Sequence, residues 1–131
     1  MAITWTVQST IKVPGLATLP SDAAVLITGD AEQVFEKDVL AGQTVELDFG
    51  SVDKTKIVAL VFHSSLVGLT VNTNAVDATG GNAFVLGAAK AVEWDNTLPN
   101  ANPITQNVTK LFLINVGAKT TVFRGGFLSN I

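Results

Sequence analysis

The chain has 131 residues, a formal charge of −3 and no cysteine. This length is enough for one domain with its own core, and without cysteine there is no disulfide framework, zinc–thiolate site or thiol nucleophile. Charged residues make up 15% and the mean hydropathy is +0.41, whereas an average soluble domain has about 25% charged residues. We expect part of the surface to be covered in a homo-oligomer or on a larger particle; a neutral sandwich coated with Thr and Asn is the alternative.

Charge and hydropathy also argue against two classes of partner. A net charge of −3 gives no overall attraction for nucleic acid. No window reaches the ~18 apolar residues that a membrane helix needs, and the longest apolar run, 57–62, has the length of a strand. We therefore expect neither nucleic acid nor a membrane among the partners.

Alternating apolar and polar residues predict strands along most of the chain. The predicted strands are 3–13, 23–28, 31–40, 44–49, 55–63, 66–73, 83–86, 90–94, 108–116 and 120–128. Segment 31–40 also fits a short helix, but the turn at 41–43 favours a strand that leads through a hairpin into 44–49. About ten short strands without a long helix predict one all-β domain over 1–131, a jelly-roll-like antiparallel β-sandwich of about 8–10 strands.

The strongest local signal is the run Val108–Leu128, which predicts a hairpin with its turn at Gly117–Lys119. Its first arm is apolar at every position from 111 to 116 except Asn115. We expect both faces of that strand to be covered, as in the middle of a sandwich or against another subunit. Within the run, we expect four side chains to be buried in the core or an interface. They are Leu111, Leu113, Val122 and Phe123.

Few residues suggest chemistry. The single histidine, His63, precedes two serines, but no recognisable acid or oxyanion hole accompanies them. The carboxylate pairs Glu36/Asp38 and Glu46/Asp48 each project from one face of a strand, which also describes an ordinary solvent face. We expect no catalytic residue, cofactor or metal site, and we expect Trp5 and Trp94 to pack in the core.

The second half of the chain has a familiar layout. It runs KIVALVFHSS, LTVNTN, a Gly-rich loop, FVLGAAKAVEW, NPIT and VTKLFLINVGAKTTVFRGGFL. It resembles small structural proteins encoded among the virion genes of tailed bacteriophages. The residues that carry the resemblance are Ser64, Thr70, Thr73, Asn74, Leu86, Trp94, Asn102, Pro103, Val108, Thr109, Leu111 and Asn115. Gly87 directly follows Leu86, which departs from the L-x-x-G spacing of those proteins.

The resemblance implies a non-enzymatic decoration, or cement, protein on the outer surface of the phage head. Its expected partners are the major capsid protein and copies of itself. We expect the contacts with neighbours to involve Lys110, Asn115, Lys119 and Arg124. Two other functions stay open, namely a tail or fibre-tip module that binds a host-surface glycan on an exposed Trp, and a hydrolase that uses the carboxylate pairs.

Overall fold

The computed structural model describes residues 2–7, 25–87 and 91–130, and these residues are mostly β-structure, as predicted. The strands are β1 (Ile3–Val7), β2 (Val25–Gly29), β3 (Ala31–Val39), β4 (Thr44–Val52), β5 (Ile57–Ser64), β6 (Leu69–Thr73), β7 (Ala83–Leu86), β8 (Val92–Asp95), β9 (Val108–Asn115) and β10 (Thr121–Ser129). A 3-10 turn, Lys54–Lys56, precedes β5. Segment 31–40 is therefore a strand. The predicted continuation of the first strand to residue 13, and the turn after it, lie outside the described residues.

Eight of the strands form two antiparallel sheets that pack against each other. Sheet I has the order β3-β10-β5-β8, and sheet II has the order β4-β9-β6-β7. From β3 to β10 the chain changes sheet at every connection except the β6–β7 hairpin. This is the strand order of a jelly roll, so the predicted fold class is confirmed. The remaining strands, β1 and β2, form a separate two-stranded ribbon.

The predicted hairpin at 108–128 is wrong. β9 pairs with β4 and β6 in sheet II, whereas β10 pairs with β3 and β5 in sheet I, and the loop 116–120 crosses between the sheets. The predicted hairpin at 41–43 is wrong for the same reason, because β3 and β4 lie in different sheets. Each of these strands buries one face in the common core, and that burial decides its pairing. β9 and β10 nevertheless hold central positions, one in each sheet.

The main core lies between the two sheets. Phe62 is at its centre, with the rings of Phe123 and Phe127 at centroid distances of 6.0 and 5.5 Å. Leu111 and Leu113 are fully buried on the facing sheet, as predicted. Val122 is only half-buried, because its position in β10 directs it to the outer face of sheet I.

The ribbon of β1 and β2 gives sheet I a second apolar contact on its outer face. Ile27 of β2 packs there in a small cluster with Val58, Ala59 and Leu128, and Trp5 of β1 packs against it. The ribbon therefore covers one end of this face and leaves the other end open.

Candidate interaction surfaces

One end of the sandwich is apolar and exposed. It is formed by the loops 40–43, 65–68 and 116–120, each of which joins sheet I to sheet II. We call it the apolar end. The exposed side-chain fractions are 53% for Leu40, 38% for Leu66, 68% for Val67 and 76% for Val116. Lys119 is the only charged residue in these loops. Exposed apolar patches are a common feature of interaction sites, so the apolar end is a candidate for one.

Asn115 holds the apolar end together from within. Its side-chain amide donates to the carbonyl oxygens of Val39 at 2.9 Å and Lys119 at 2.8 Å, and its Oδ1 accepts from Gly117 N at 2.9 Å. Its backbone exchanges two further hydrogen bonds with Gly42 and Gln43. One residue thus joins the β3–β4 and β9–β10 crossings, so the exposed aliphatic side chains lie on fixed loops.

The third crossing loop is joined to the same network. The backbone N–H of Val116 donates to the carbonyl of Gly68 at 3.1 Å. The two loops come so close that a Cβ on Gly68 would lie 3.3 Å from Gly117 N, and Gly68 has a φ of +105°, which favours glycine. Beside this contact lies a shallow depression of about 310 Å³. Its lining residues are Leu66, Val67, Gly117, Ala118 and Lys119.

The four predicted contact residues do not share one surface. Lys119 lies at the apolar end, Arg124 on the outer face of sheet I and Lys110 on the outer face of sheet II. Asn115 is only 2% exposed, and its side-chain atoms are used inside the chain. Asn115 is therefore a structural residue that presents nothing to a neighbour. Contacts of the other three with a neighbour stay predictions.

Two of the predicted contact residues, Lys110 and Arg124, are paired with carboxylates of an adjacent strand. Lys110 Nζ lies 2.6 Å from Glu46 Oε1, and the hydrogen bond to Glu46 raises the pKa of the Lys110 ammonium above 10.5. Arg124 Nε lies 3.2 Å from Glu36 Oε2. Exposed pairs of this kind add little to stability.

A groove of about 740 Å³ crosses the open part of the outer face of sheet I. In the strand register Gly126 lies between Val34 and Val61, and since glycine carries no side chain the sheet is indented there. Trp5 and its neighbours in the ribbon form one wall. The groove also has polar and charged lining residues, namely Glu32, His63, Glu93 and Arg124.

Both tryptophans pack against apolar clusters and remain partly exposed. Trp5 lies on the ribbon-side cluster and Trp94 on the main core. Each indole N–H has a partner, because Trp5 Nε1 donates to Glu32 Oε1 at 2.6 Å and Trp94 Nε1 donates to the Asn100 carbonyl at 2.9 Å. The predicted packing is therefore present, but Trp5 and Trp94 both also line the groove.

The residues considered for hydrolysis are not brought together. Glu36 and Asp38 lie on β3 of sheet I, whereas Glu46 and Asp48 lie on β4 of sheet II, so the four carboxylates share no cleft. His63 faces out into the groove, while Ser64 is buried and donates to the Leu66 carbonyl. Among the described residues, no three or more histidine, cysteine or acidic side chains are placed to hold a metal ion.

Comparisons with known proteins supply no relative: no family model matches the chain, and no curated protein or solved structure is significantly similar to it. In the described part of the chain, no helix is both long and apolar enough to span a membrane.

Proposed function

We propose that this chain is a non-enzymatic decoration protein of a tailed-phage head, which binds the major capsid protein and copies of itself on the outer capsid surface. The observation that carries the proposal is the apolar end, with four exposed aliphatic side chains on fixed loops. Its jelly-roll sandwich is also the fold that the resemblance of residues 56–131 to phage virion proteins implies.

The apolar end suits a cementing role for physical reasons. Burying aliphatic surface contributes roughly 25 cal/mol per Å², and loops that are already fixed lose little conformational entropy when they bind. A protein that binds only the assembled lattice stabilises it by mass action, with no chemical step. The outer face of sheet II, with the Lys110–Glu46 pair, then remains available for neighbouring copies.

The proposal is tested on capsids with and without the protein. Decorated capsids should withstand a higher temperature before they release DNA. V67D and V116D should abolish decoration because each places a carboxylate in the apolar contact, while both proteins remain folded by circular dichroism. V76D is the matched control, since Val76 is comparably exposed in a loop at the opposite end. Equal heat resistance of bare and decorated capsids would exclude the cement role.

A second function is favoured by the groove on sheet I, namely a tail or fibre-tip module that binds a host-surface glycan. Trp5 offers an aromatic surface at the wall, and His63, Glu93 and Arg124 offer polar groups around an apolar floor. Sugars bind to such combinations of an aromatic face and polar side chains.

A glycan array distinguishes the two functions. Binding that is lost in W5A and in V34K supports the glycan module. V34K is informative because Val34 is exposed on the groove floor and its replacement removes no core contact. V76K is the control, because Val76 is comparably exposed and does not line the groove. An array without any bound glycan removes this second candidate and leaves the capsid test unaffected.

A further inference from the structure

Strand β7 is an unprotected sheet edge. It is the last strand of sheet II and pairs only with β6, and no other backbone hydrogen bond is present for residues 83–86 among the described residues. In an antiparallel pair, alternate N–H and C=O groups of an edge strand point away from the sheet. Val85 is 77% exposed, the largest fraction among the large apolar side chains described. Such an edge favours addition of another strand.

The other three edges of the sandwich carry acidic side chains. β3 contains Glu32, Glu36 and Asp38 beside one lysine; β4 contains Glu46 and Asp48; and β8 contains the exposed Glu93. Antiparallel pairing of any of these strands with its own copy would bring carboxylates close together, which is unfavourable. β7 has the sequence Ala-Phe-Val-Leu and is flanked by Asn82 and Gly87, so it carries no charge. Charge therefore opposes self-pairing at three edges and permits it at β7.

We infer that β7 is a self-association edge, at which two copies of the chain join sheet II into one continuous eight-stranded antiparallel sheet about a two-fold axis. With Val85 of the two copies side by side, Phe84 of each copy lies opposite Leu86 of the other, and inward-facing residues meet inward-facing residues. The outer row of sheet II, Val85–Thr70–Ile114, then continues across the axis as a row of β-branched side chains.

This contact is weak in solution. A four-residue edge buries much less than the roughly 1,200–2,000 Å² of a stable complex. The dimer should therefore form only at high protein concentration, and on a surface that holds many copies the raised local concentration favours it. The inference rests on the contact between copies that the proposed function includes, and it specifies the edge that forms this contact. Its test uses the isolated chain, so it can fail while binding to the capsid still holds.

Single cysteines provide the test, because the chain contains none of its own. Val85→Cys should give a disulfide-linked dimer under mild oxidation, since directly opposite Cβ atoms in such a pair lie about 4.5–5.5 Å apart. Leu26→Cys, Val34→Cys and Val67→Cys are matched controls, because these residues are comparably exposed on the ribbon, the groove and the apolar end. At the same protein concentration we expect V85C to cross-link at least tenfold faster than each control.

Sedimentation of cysteine-free proteins provides the second readout. The mass of the wild-type protein should rise toward that of a dimer as its concentration increases, and the mass of V85T should rise in the same way. V85K should stay monomeric, because two ammonium groups would meet at the axis. Circular dichroism verifies that each variant is folded. Three results would overturn the inference: a V85C rate equal to the controls, faster cross-linking at Leu26, Val34 or Val67, or a wild-type chain that is monomeric at every concentration.

Discussion

At the scale of single residues, Asn115 determines the shape of the apolar end. Its amide donates to the carbonyl of Val39 at the end of β3 and to that of Lys119, and its Oδ1 accepts from Gly117 N in the loop 116–120. The residue is nearly fully buried, so no solvent can replace these bonds. In the sequence, Asn115 interrupts an otherwise apolar run and therefore suggests a contact site. In the structure, its hydrogen bonds are needed where the chain crosses between the two sheets.

We predict that Asn115→Ala lowers the free energy of unfolding by about 2–4 kcal/mol, because it leaves several buried polar groups without partners. Urea denaturation measures this change. Lys119→Ala is the matched control, since only the carbonyl of Lys119 takes part in the network. A change below about 0.5 kcal/mol is expected for this exposed side chain. Equal stability of the two variants would contradict the role given to Asn115.

The stability of the fold depends on pH through Asp53. The Thr55 hydroxyl and backbone N–H donate to its carboxylate at 2.7 and 2.8 Å, and these bonds lower the pKa of Asp53 below 3.8. A lowered pKa in the folded state stabilises the protein above 3.8, and this stabilisation is lost as the pH falls through the folded-state pKa.

We therefore predict that unfolding free energy, measured in urea, declines below pH 3.8 less steeply in Asp53→Asn than in the wild type. Asparagine still accepts the hydrogen bonds at this position and cannot be protonated in that range. Asp77 retains its own lowered pKa through bonds from Thr79, so a smaller decline should persist in the variant. If unfolding free energy has the same slope against pH in both proteins, the hydrogen bonds from Thr55 do not contribute to the pH dependence of stability.

At the scale of the element, the strands are predicted well and their partners are not. Alternation identifies β4 and the apolar run identifies β5, because each strand's burial follows its own sequence. The loops 41–43 and 116–120 have ordinary turn residues, and these suit a hairpin as well as a crossing between sheets. Which of the two forms depends on the shared core, and that information is spread over the whole chain.

The candidate surfaces, too, could be predicted only in part from the sequence. Lys119 in a turn and Arg124 beside the glycine pair of β10 could be found from the sequence, but the apolar end could not. Leu66 and Val67 belong to the predicted strand 66–73, and Val116 belongs to the predicted strand 108–116. They are exposed in loops because β6 begins only at Leu69 and β9 ends at Asn115. Boundaries of two or three residues, which local sequence defines poorly, therefore decide where the surface is apolar.

The glycine pair of β10 is an element-scale feature that the sequence does indicate. A Cβ on Gly126 would lie 1.8 Å from the Gln33 carbonyl oxygen, and one on Gly125 would lie 2.2 Å from the Val61 carbonyl oxygen. Close approach of neighbouring backbones on both sides of β10 therefore requires glycine.

We predict that Gly126→Ala destabilises the protein by about 2–3 kcal/mol, because β3 must move away from β10 to make room. Chemical denaturation measures the loss. Gly80→Asn is the control: a Cβ there meets nothing within 4 Å, and asparagine tolerates its φ of +72°. A loss at Gly126 no larger than that at Gly80 would contradict the close approach of the strands.

At the scale of the whole molecule, the sandwich closes only when distant parts of the chain meet. β3 pairs with β10 along its whole length, from Ala31 opposite Ser129 to Val39 opposite Thr121. β4 likewise pairs with β9, which comes much later in the chain. Among the eight sandwich strands, only β6 and β7 pair as a local hairpin. Most stabilising contacts therefore come after a large loss of chain entropy.

We accordingly predict slow refolding, with a main phase of milliseconds to seconds, as in other domains dominated by non-local strand pairing. Stopped-flow dilution from urea, followed by tryptophan fluorescence, measures it, because Trp5 and Trp94 both pack only in the folded chain.

A minor phase of tens of seconds belongs to proline isomerisation and should accelerate with a prolyl isomerase. Gly126→Ala should slow the main phase if β10 joins β3 in the transition state, and should mainly accelerate unfolding if that pairing forms later. A main phase in microseconds would mean that local hairpins, not the closure of the sandwich, limit folding.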